Sequence, residues 1–274
     1  MSSPLIEPSA LFEIINTPNV IILDCSPTSN KSGLEAYAEG QYIRGTRQFN
    51  LSLFSDQTSP YPNTLCSAEQ FEVQAQLLGI MKDSNIVIYD NLGVYMSPRV
   101  RWMFKTMGHK QVSILNGGIK AWVESGYPTT TELITKYEKG NFKATFQPLG
   151  YCNASDLLTH LEDPSYSTLD ARSEKRFNGS VAEPRAGMRS GHIPNSKNLP
   201  FRTVISDGKF LPKHDLTRIF KEYNIEHESL IFTCGSGITA CIIQTAAEIC
   251  LNNQLSVFDG SWSEWSMRTE LPIE

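Results

Sequence analysis

No apolar run in this chain approaches the ~18 residues that a membrane-spanning helix needs, so nothing in it reads as a bilayer span. Basic residues are not in excess either: 24 Lys and Arg stand against 29 Asp and Glu, a net charge of −5. Nucleic-acid binders carry a basic face as their electrostatic footprint. This balance argues against one, while leaving room for a local basic pocket. The opening MSSPLIEPSA lacks the basic and apolar regions of a secretory leader, and it lacks the Arg-rich amphipathic character of a mitochondrial presequence. No His/Cys cluster has metal-ligand spacing, and neither a metal nor a cofactor is expected. Six cysteines (Cys25, Cys66, Cys152, Cys234, Cys241, Cys250) without an export signal point to free thiols in a reducing compartment. Cytoplasm is the expectation, a mitochondrial form requiring a longer start.

What is present suffices for two ordinary domains of about 100–150 residues each, since 274 residues with 40% hydrophobic and 19% charged content can bury two cores. The chain is also internally repetitive. VIILDCS (20–26) pairs with YSTLDARS (166–173), QYIRGTRQFNL (41–51) with GHIPNSKNLPF (191–201), NIVIYD (85–90) with SLIFTC (229–234), and VSILNGGIKAW (112–122) with LSVFDGSWSEW (255–265). The partners stay 143–150 residues apart throughout, so one unit has been duplicated.

Within each unit short β-branched runs alternate with helix-like stretches. Val20–Leu23, Ile86–Tyr89, Val112–Leu115, Ile231–Thr233 and Leu255–Phe258 read as buried parallel strands. Helices are expected over Ala68–Leu78, opened by Ser67 with Gln70 three residues on, and over Asn153–Leu161 and Leu216–Tyr223. The alternation implies an α/β fold, each unit a parallel sheet covered by helices on both faces. The polar stretch TTTELITKYEKGNFK (129–143) is the linker candidate, and the domain reading is 1–134, a linker over 135–148, and 149–274.

The chemistry concentrates at TCGSGITAC (233–241). Strand, tight turn and helix would place Cys234 at the carboxyl edge of a parallel sheet, where open α/β folds bind ligands. Gly235 and Gly237 are expected to take φ > 0 so that successive N–H groups converge. A helix starting near Ile238 adds the positive end of its dipole. Both favour a thiolate or a bound anion. The duplicate position is Asp90, which cannot act as a soft nucleophile, so only one unit is armed. The other cysteines, Cys241 included, read as packed thiols.

The tandem repeat and the C-G-S-G-I-T-A loop resemble the mercaptopyruvate sulfurtransferases of the rhodanese superfamily, over about residues 5–270. LDARSEKRFNG (169–179), EPRAG (183–187), GHIP (191–194) and DGSWSEW (259–265) support the likeness, as do TSPYPNTL (58–65), SPRVRWMF (97–104) and NGGIKAW (116–122). The resemblance implies two tandem rhodanese-like domains, the first non-catalytic. It implies Cys234 as the persulfide-forming nucleophile with Ser236 beside it, and substrate-binding roles for Gly235, Gly237, Ile238 and Thr239. By motif match Arg176 and Arg185 would clamp the keto acid, two guanidinium forks suiting its carboxylate and carbonyl. Thioredoxin or another small thiol would accept the sulfur, with hydrogen sulfide as a product. Asp170 with Arg172 reads as a structural pair, His192 as a turn residue, and Trp262 and Trp265 as packing residues.

Phosphatases on related Cys loops grip the phosphoryl group with an Arg just after the loop. Here Ala240 and Cys241 stand there, which argues against phosphoryl transfer. Two departures from the resembled pattern remain. Asn63 falls where those enzymes carry a His, and Ser52 where they carry an Asp, and neither side chain titrates near neutrality. A thiosulfate or protein-persulfide donor, or a non-catalytic binding module, therefore stays open beside mercaptopyruvate.

Overall fold

The computed structural model describes residues 3–30, 32–225 and 228–274. Its contacts divide into two units, each built around a five-stranded parallel sheet. The first sheet runs in the order Leu5–Ile6, Val112–Leu115, Asn85–Tyr89, Val20–Asp24, Thr46–Gln48. The second runs Tyr151–Cys152, Leu255–Phe258, Ser229–Thr233, Tyr166–Asp170, Lys197–Asn198. The two orders correspond strand for strand, so the duplication in sequence is a duplication of topology. The central strands are buried along four of their five residues, as strands of a parallel sheet covered on both faces must be.

Helices α1 (Pro8–Ile14), α2 (Ala68–Leu77), α3 (Ser97–Thr106) and α4 (Gly118–Glu124) flank the first sheet. Helices α5 (Ala154–His160), α6 (Glu174–Phe177), α7 (Lys213–Lys221), α8 (Ala240–Cys250) and α9 (Ser261–Trp265) belong to the second unit. At α2 the Ser67 hydroxyl accepts from the Gln70 N–H, but the Gln70 amide reaches Leu53 O instead of returning to Ser67, so half a capping box forms. At α5 the box closes fully between Asn153 and Asp156. Helix α7 begins three residues before the expected Leu216 because Pro212, with its fixed φ of −55°, serves as the N-cap.

The first core gathers Leu11, Ile22, Val87, Leu115 and Trp122. The second gathers Leu157, Ile231, Phe258, Trp262 and Trp265, the two indoles fully buried. The units are not contiguous in sequence: residues 55–65 group with the second and residues 206–210 with the first. The 129–143 stretch is strapped to the first unit rather than loose. Thr129–Thr130 pairs with Tyr42–Ile43, Phe142 is buried, and Gly140 N and Phe142 N donate to Gln76 O and Ile80 O.

Candidate active site

Cys234 leaves the carboxyl end of Ser229–Thr233, the middle strand of its sheet, with 2% of its surface exposed. Helix α9, which follows the neighbouring strand, shapes the turn. Trp262 N donates to Cys234 O at 2.9 Å and Ser263 N to Gly235 O at 3.0 Å. Because each peptide is trans and planar, the N–H groups of Gly235 and Ser236 face away from α9. Cys234 N in turn donates to Ser261 Oγ at 3.3 Å, and that hydroxyl donates to Phe258 O at 2.9 Å. Ser261 holds this bridge at φ +50°, a conformation that L-residues with a Cβ rarely adopt.

Gly237 has the expected positive φ, +77°. Gly235 does not, which corrects the expectation for it. Its smallness serves close approach: a Cβ there would lie 2.9 Å from Arg176 Nη2. Helix α8 starts at Ala240 with Thr239 as N-cap, later than the expected Ile238. The delay comes from a tighter lead-in turn, with Cys241 N on Ile238 O and Ile242 N on Thr239 O. Ile238 is buried and Thr239 half-buried.

Four of the other thiols donate to main-chain carbonyls: Cys25 to Tyr89, Cys152 to Asn153, Cys241 to Gly237 and Cys250 to Ala246. Burial pushes the Cys152 thiol up to about 12 and Cys250 to about 11. It pushes Cys25 up as well, reinforced by Asp90 and Asp24. Cys234 Sγ makes no hydrogen bond among the described residues, so its sulfur is not committed to the backbone.

The arginines divide sharply. Arg172 is fully buried and saturated: it holds Asp170 through Nε at 2.9 Å and Nη2 at 2.7 Å, Glu183 through Nη1 at 2.9 Å, and Gly191 O through Nη2 at 2.9 Å. Its guanidinium also lies 4.4 Å above the Trp262 ring. Arg176, 27% exposed, gives Nε and Nη2 to Glu183 at 3.1 and 2.5 Å. Burial works against the Arg176 charge, and Glu183, the Cys234 sulfur and Asp170 more than offset it. Its Nη1 makes no hydrogen bond among the described residues and remains a donor for an anion. Arg185 is exposed and forms no hydrogen bond or ion pair with any described residue. The structure thus brings Arg176 to the loop, but does not seat Arg185 on it.

Ser236 is half-buried and takes both hydrogen bonds from one side chain. Asn63 Nδ2 reaches Ser236 O at 3.2 Å and Ser236 Oγ at 3.3 Å. Ser52 is exposed in a short 3-10 turn, its hydroxyl on Asn50 Oδ1 at 2.8 Å. His192 stacks on Phe177 with ring centroids 3.9 Å apart and pairs Nδ1 with Phe177 O at 3.0 Å, the turn role expected of it. Sequence reasoning passed over Glu183, Ser261 and Ser263. Glu183 was visible beside Arg185 in EPRAG, and the two serines in DGSWSEW, but only the fold aims them at the loop.

The Rhodanese-like domain model matches the chain twice, over residues 7–125 and 153–268. This chain belongs to the rhodanese-like family. Among curated relatives, the 3-mercaptopyruvate sulfurtransferase of Mus musculus is 36% identical over 91% of this chain and 86% of its own. The thiosulfate sulfurtransferase of Rattus norvegicus is 36% identical over 92% and 86%. The Thiosulfate/3-mercaptopyruvate sulfurtransferase 1, mitochondrial, of Arabidopsis thaliana is 33% identical over 100% and 78%. Among solved structures, the 3-mercaptopyruvate sulfotransferase SseA of Escherichia coli superposes with a TM-score of 0.82 at 28% identity, covering 95% of this chain and 99% of that one. Among the described residues no helix is long and apolar enough to cross a membrane.

Proposed function

We propose that this rhodanese-like chain is a sulfurtransferase that takes sulfur from 3-mercaptopyruvate as a Cys234 persulfide and passes it to a thiol or to cyanide. The observation that carries the reading is the sulfur of Cys234, uncommitted to the backbone at a strand end beside the Arg176 guanidinium. The names of the relatives support the substrate class.

The Cys234 thiolate attacks the donor sulfur and a sulfur–sulfur bond forms. The donor's carbon–sulfur bond breaks, its electron pair going to the enolate of pyruvate. The thiol proton of the donor ends on the pyruvate carbon, and Cys234 is left as a persulfide anion. Arg176 Nη1 receives the donor's carboxylate, and the exposed Arg185 supplies the second fork as the donor enters. Loop N–H groups and the α8 dipole hold the persulfide charge. A thiol acceptor, thioredoxin among them, then takes the outer sulfur as its own persulfide, from which a second thiol releases hydrogen sulfide as a disulfide forms; cyanide instead takes the sulfur as thiocyanate, and either way Cys234 is restored. The reducing cytoplasm, where such thiols are maintained, is the compartment that fits this chemistry. Residues 1–134 then act as the non-catalytic domain, and 149–274, with Asn63 from the preceding half, as the catalytic one.

A second reading, thiosulfate as donor, draws on the non-titrating Asn63 beside Ser236. Steady-state kinetics separate the readings. With cyanide as acceptor, pyruvate release from 3-mercaptopyruvate should follow ping-pong kinetics, giving parallel double-reciprocal lines. Sulfite release from thiosulfate with no pyruvate formed from 3-mercaptopyruvate would leave only the second reading standing.

A further inference from the structure

The Asn63 amide has a fixed orientation. Ser236 O can only accept a hydrogen bond, so the Asn63 atom facing it at 3.2 Å must be the NH2 group. The same nitrogen lies 3.3 Å from Ser236 Oγ, so the hydroxyl oxygen is an acceptor there and its proton points elsewhere. Asn63 sits at φ +63°, a conformation asparagine tolerates better than most residues. It is delivered by the 55–65 segment, which is pinned to the same unit: Leu65 N donates to Asp259 Oδ2 at 2.8 Å, and Ser55 bridges Leu65. Among the described residues no acid or base hydrogen-bonds Ser236.

Proton balance then distinguishes two classes of sulfur donor. With thiosulfate, the Cys234 thiolate forms the sulfur–sulfur bond, the donor's own sulfur–sulfur bond breaks, and sulfite leaves with the electron pair. No proton moves. With a mercapto-keto acid, the carbon–sulfur bond breaks toward carbon, and a proton must travel from the donor sulfur to that carbon. The Ser236 hydroxyl accepts from the Asn63 amide and can donate its own proton, but among the described residues no basic side chain stands behind it to complete a relay, which slows the mercapto-keto acid and leaves thiosulfate untouched.

We propose that Asn63 is a positioning residue that turns the Ser236 hydroxyl proton away from itself and thereby sets how fast thiol donors are used relative to sulfonate-type sulfane donors. This deepens the sulfurtransferase reading and rests on it. Residue 63 governs how fast each donor forms the persulfide, not whether the persulfide can form.

The test compares wild type, Asn63→His and Asn63→Gly, with thiosulfate and 3-mercaptopyruvate as donors and cyanide as acceptor. Histidine supplies a titratable nitrogen, and glycine adopts the positive φ without strain. In Asn63→His the kcat/KM ratio of 3-mercaptopyruvate to thiosulfate should rise about tenfold or more, the low end of general acid–base help. Its 3-mercaptopyruvate kcat should also acquire an inflection in the imidazole range, near pH ~6.5. In Asn63→Gly the KM for both donors should rise several-fold, as it should in Ser236→Ala, and the double variant should lose no more than the larger single loss. A donor ratio and pH profile identical in wild type and Asn63→His would overturn the proposal, as would an Asn63→Gly variant with unchanged KM values. If wild type acquires sulfur from neither donor by intact mass, the sulfurtransferase reading itself fails. If it acquires sulfur but the ratio ignores residue 63, only this proposal fails.

Discussion

The loop at Asp90 and the loop at Cys234 occupy the same place in two copies of one fold. Each follows the middle strand of its sheet, and each has its first carbonyl held by the helix after the next strand: Ile119 N on Asp90 O at 3.3 Å, Trp262 N on Cys234 O at 2.9 Å. What differs is the occupant. The buried Asp90 carboxylate fills its own cradle, accepting from the N–H groups of Leu92, Tyr95, Met96 and Ser97 and from the Ser97 hydroxyl, at 2.8–3.4 Å. Burial pushes that carboxyl up, and these donors push it back part of the way. Cys234 puts one soft atom at the equivalent point, and that sulfur makes no hydrogen bond among the described residues. Even the supporting turn follows this division. Gly118 and Ser261 both have positive φ, +60° and +50°. A Cβ on Gly118 would collide with Asp90 O at 2.2 Å, whereas Ser261 uses its side chain to bridge Phe258 O and Cys234 N. One loop closes on its own carboxylate, and the other keeps its sulfur uncommitted to the main chain.

The comparison breaks most visibly at its two key residues. Cys234→Ser should lower turnover by at least about a thousandfold, as loss of a nucleophile does, with a stability change under ~1 kcal/mol in urea unfolding. Asp90→Ala should do the reverse. It removes the acceptor of three buried N–H groups (Leu92, Met96 and Ser97) and should cost about 3 kcal/mol or more in the same unfolding experiment, while persulfide formation survives wherever the chain folds. Equal stability losses from the two substitutions would remove the contrast.

Smaller effects sharpen it. Arg176→Ala should raise KM for anionic donors about tenfold to a hundredfold, the worth of a charge-assisted hydrogen bond, with little change in KM for the acceptor. Labelling by iodoacetamide follows the thiolate. The raised values at Cys250 and Cys152, about 11 and about 12, therefore predict that both stay slow at pH 7–9 and accelerate only toward those values. Peptide mapping after labelling at several pH values checks this. Ser261→Gly should nearly cancel in stability, relieving backbone strain while losing the bridge, within about 1 kcal/mol. A few-fold fall in kcat would then report the Cys234 N–H anchor alone.

Much of this was legible in the residues, and what was not has physical reasons. The strands Val112–Leu115 and Leu255–Phe258 match their expected ends because Val112, Ile114 and Leu115 in one, and Val257 and Phe258 in the other, are apolar residues buried in a parallel sheet. Cys234 stood out by strand, glycines and helix in sequence. Gly235 was misread because a glycine signals either positive φ or close approach, and only the position of Arg176 tells them apart. The motif match paired Arg176 with Arg185, whereas the fold pairs Arg176 with Glu183 and leaves Arg185 in solvent. Such partners meet through a loop of undetermined course, which no local periodicity encodes. Polar composition marked the 129–143 stretch as the linker candidate, but composition cannot reveal that Gly140 N donates to Gln76 O of α2.

The most direct test of the account is intact-mass analysis with peptide mapping after brief exposure to 3-mercaptopyruvate, on wild type and Cys234→Ser. The prediction is a gain of one sulfur atom in wild type, mapped to Cys234, lost on adding cyanide and absent from the serine variant. Sulfur on another of the six cysteines, or a gain that persists in Cys234→Ser, would contradict it.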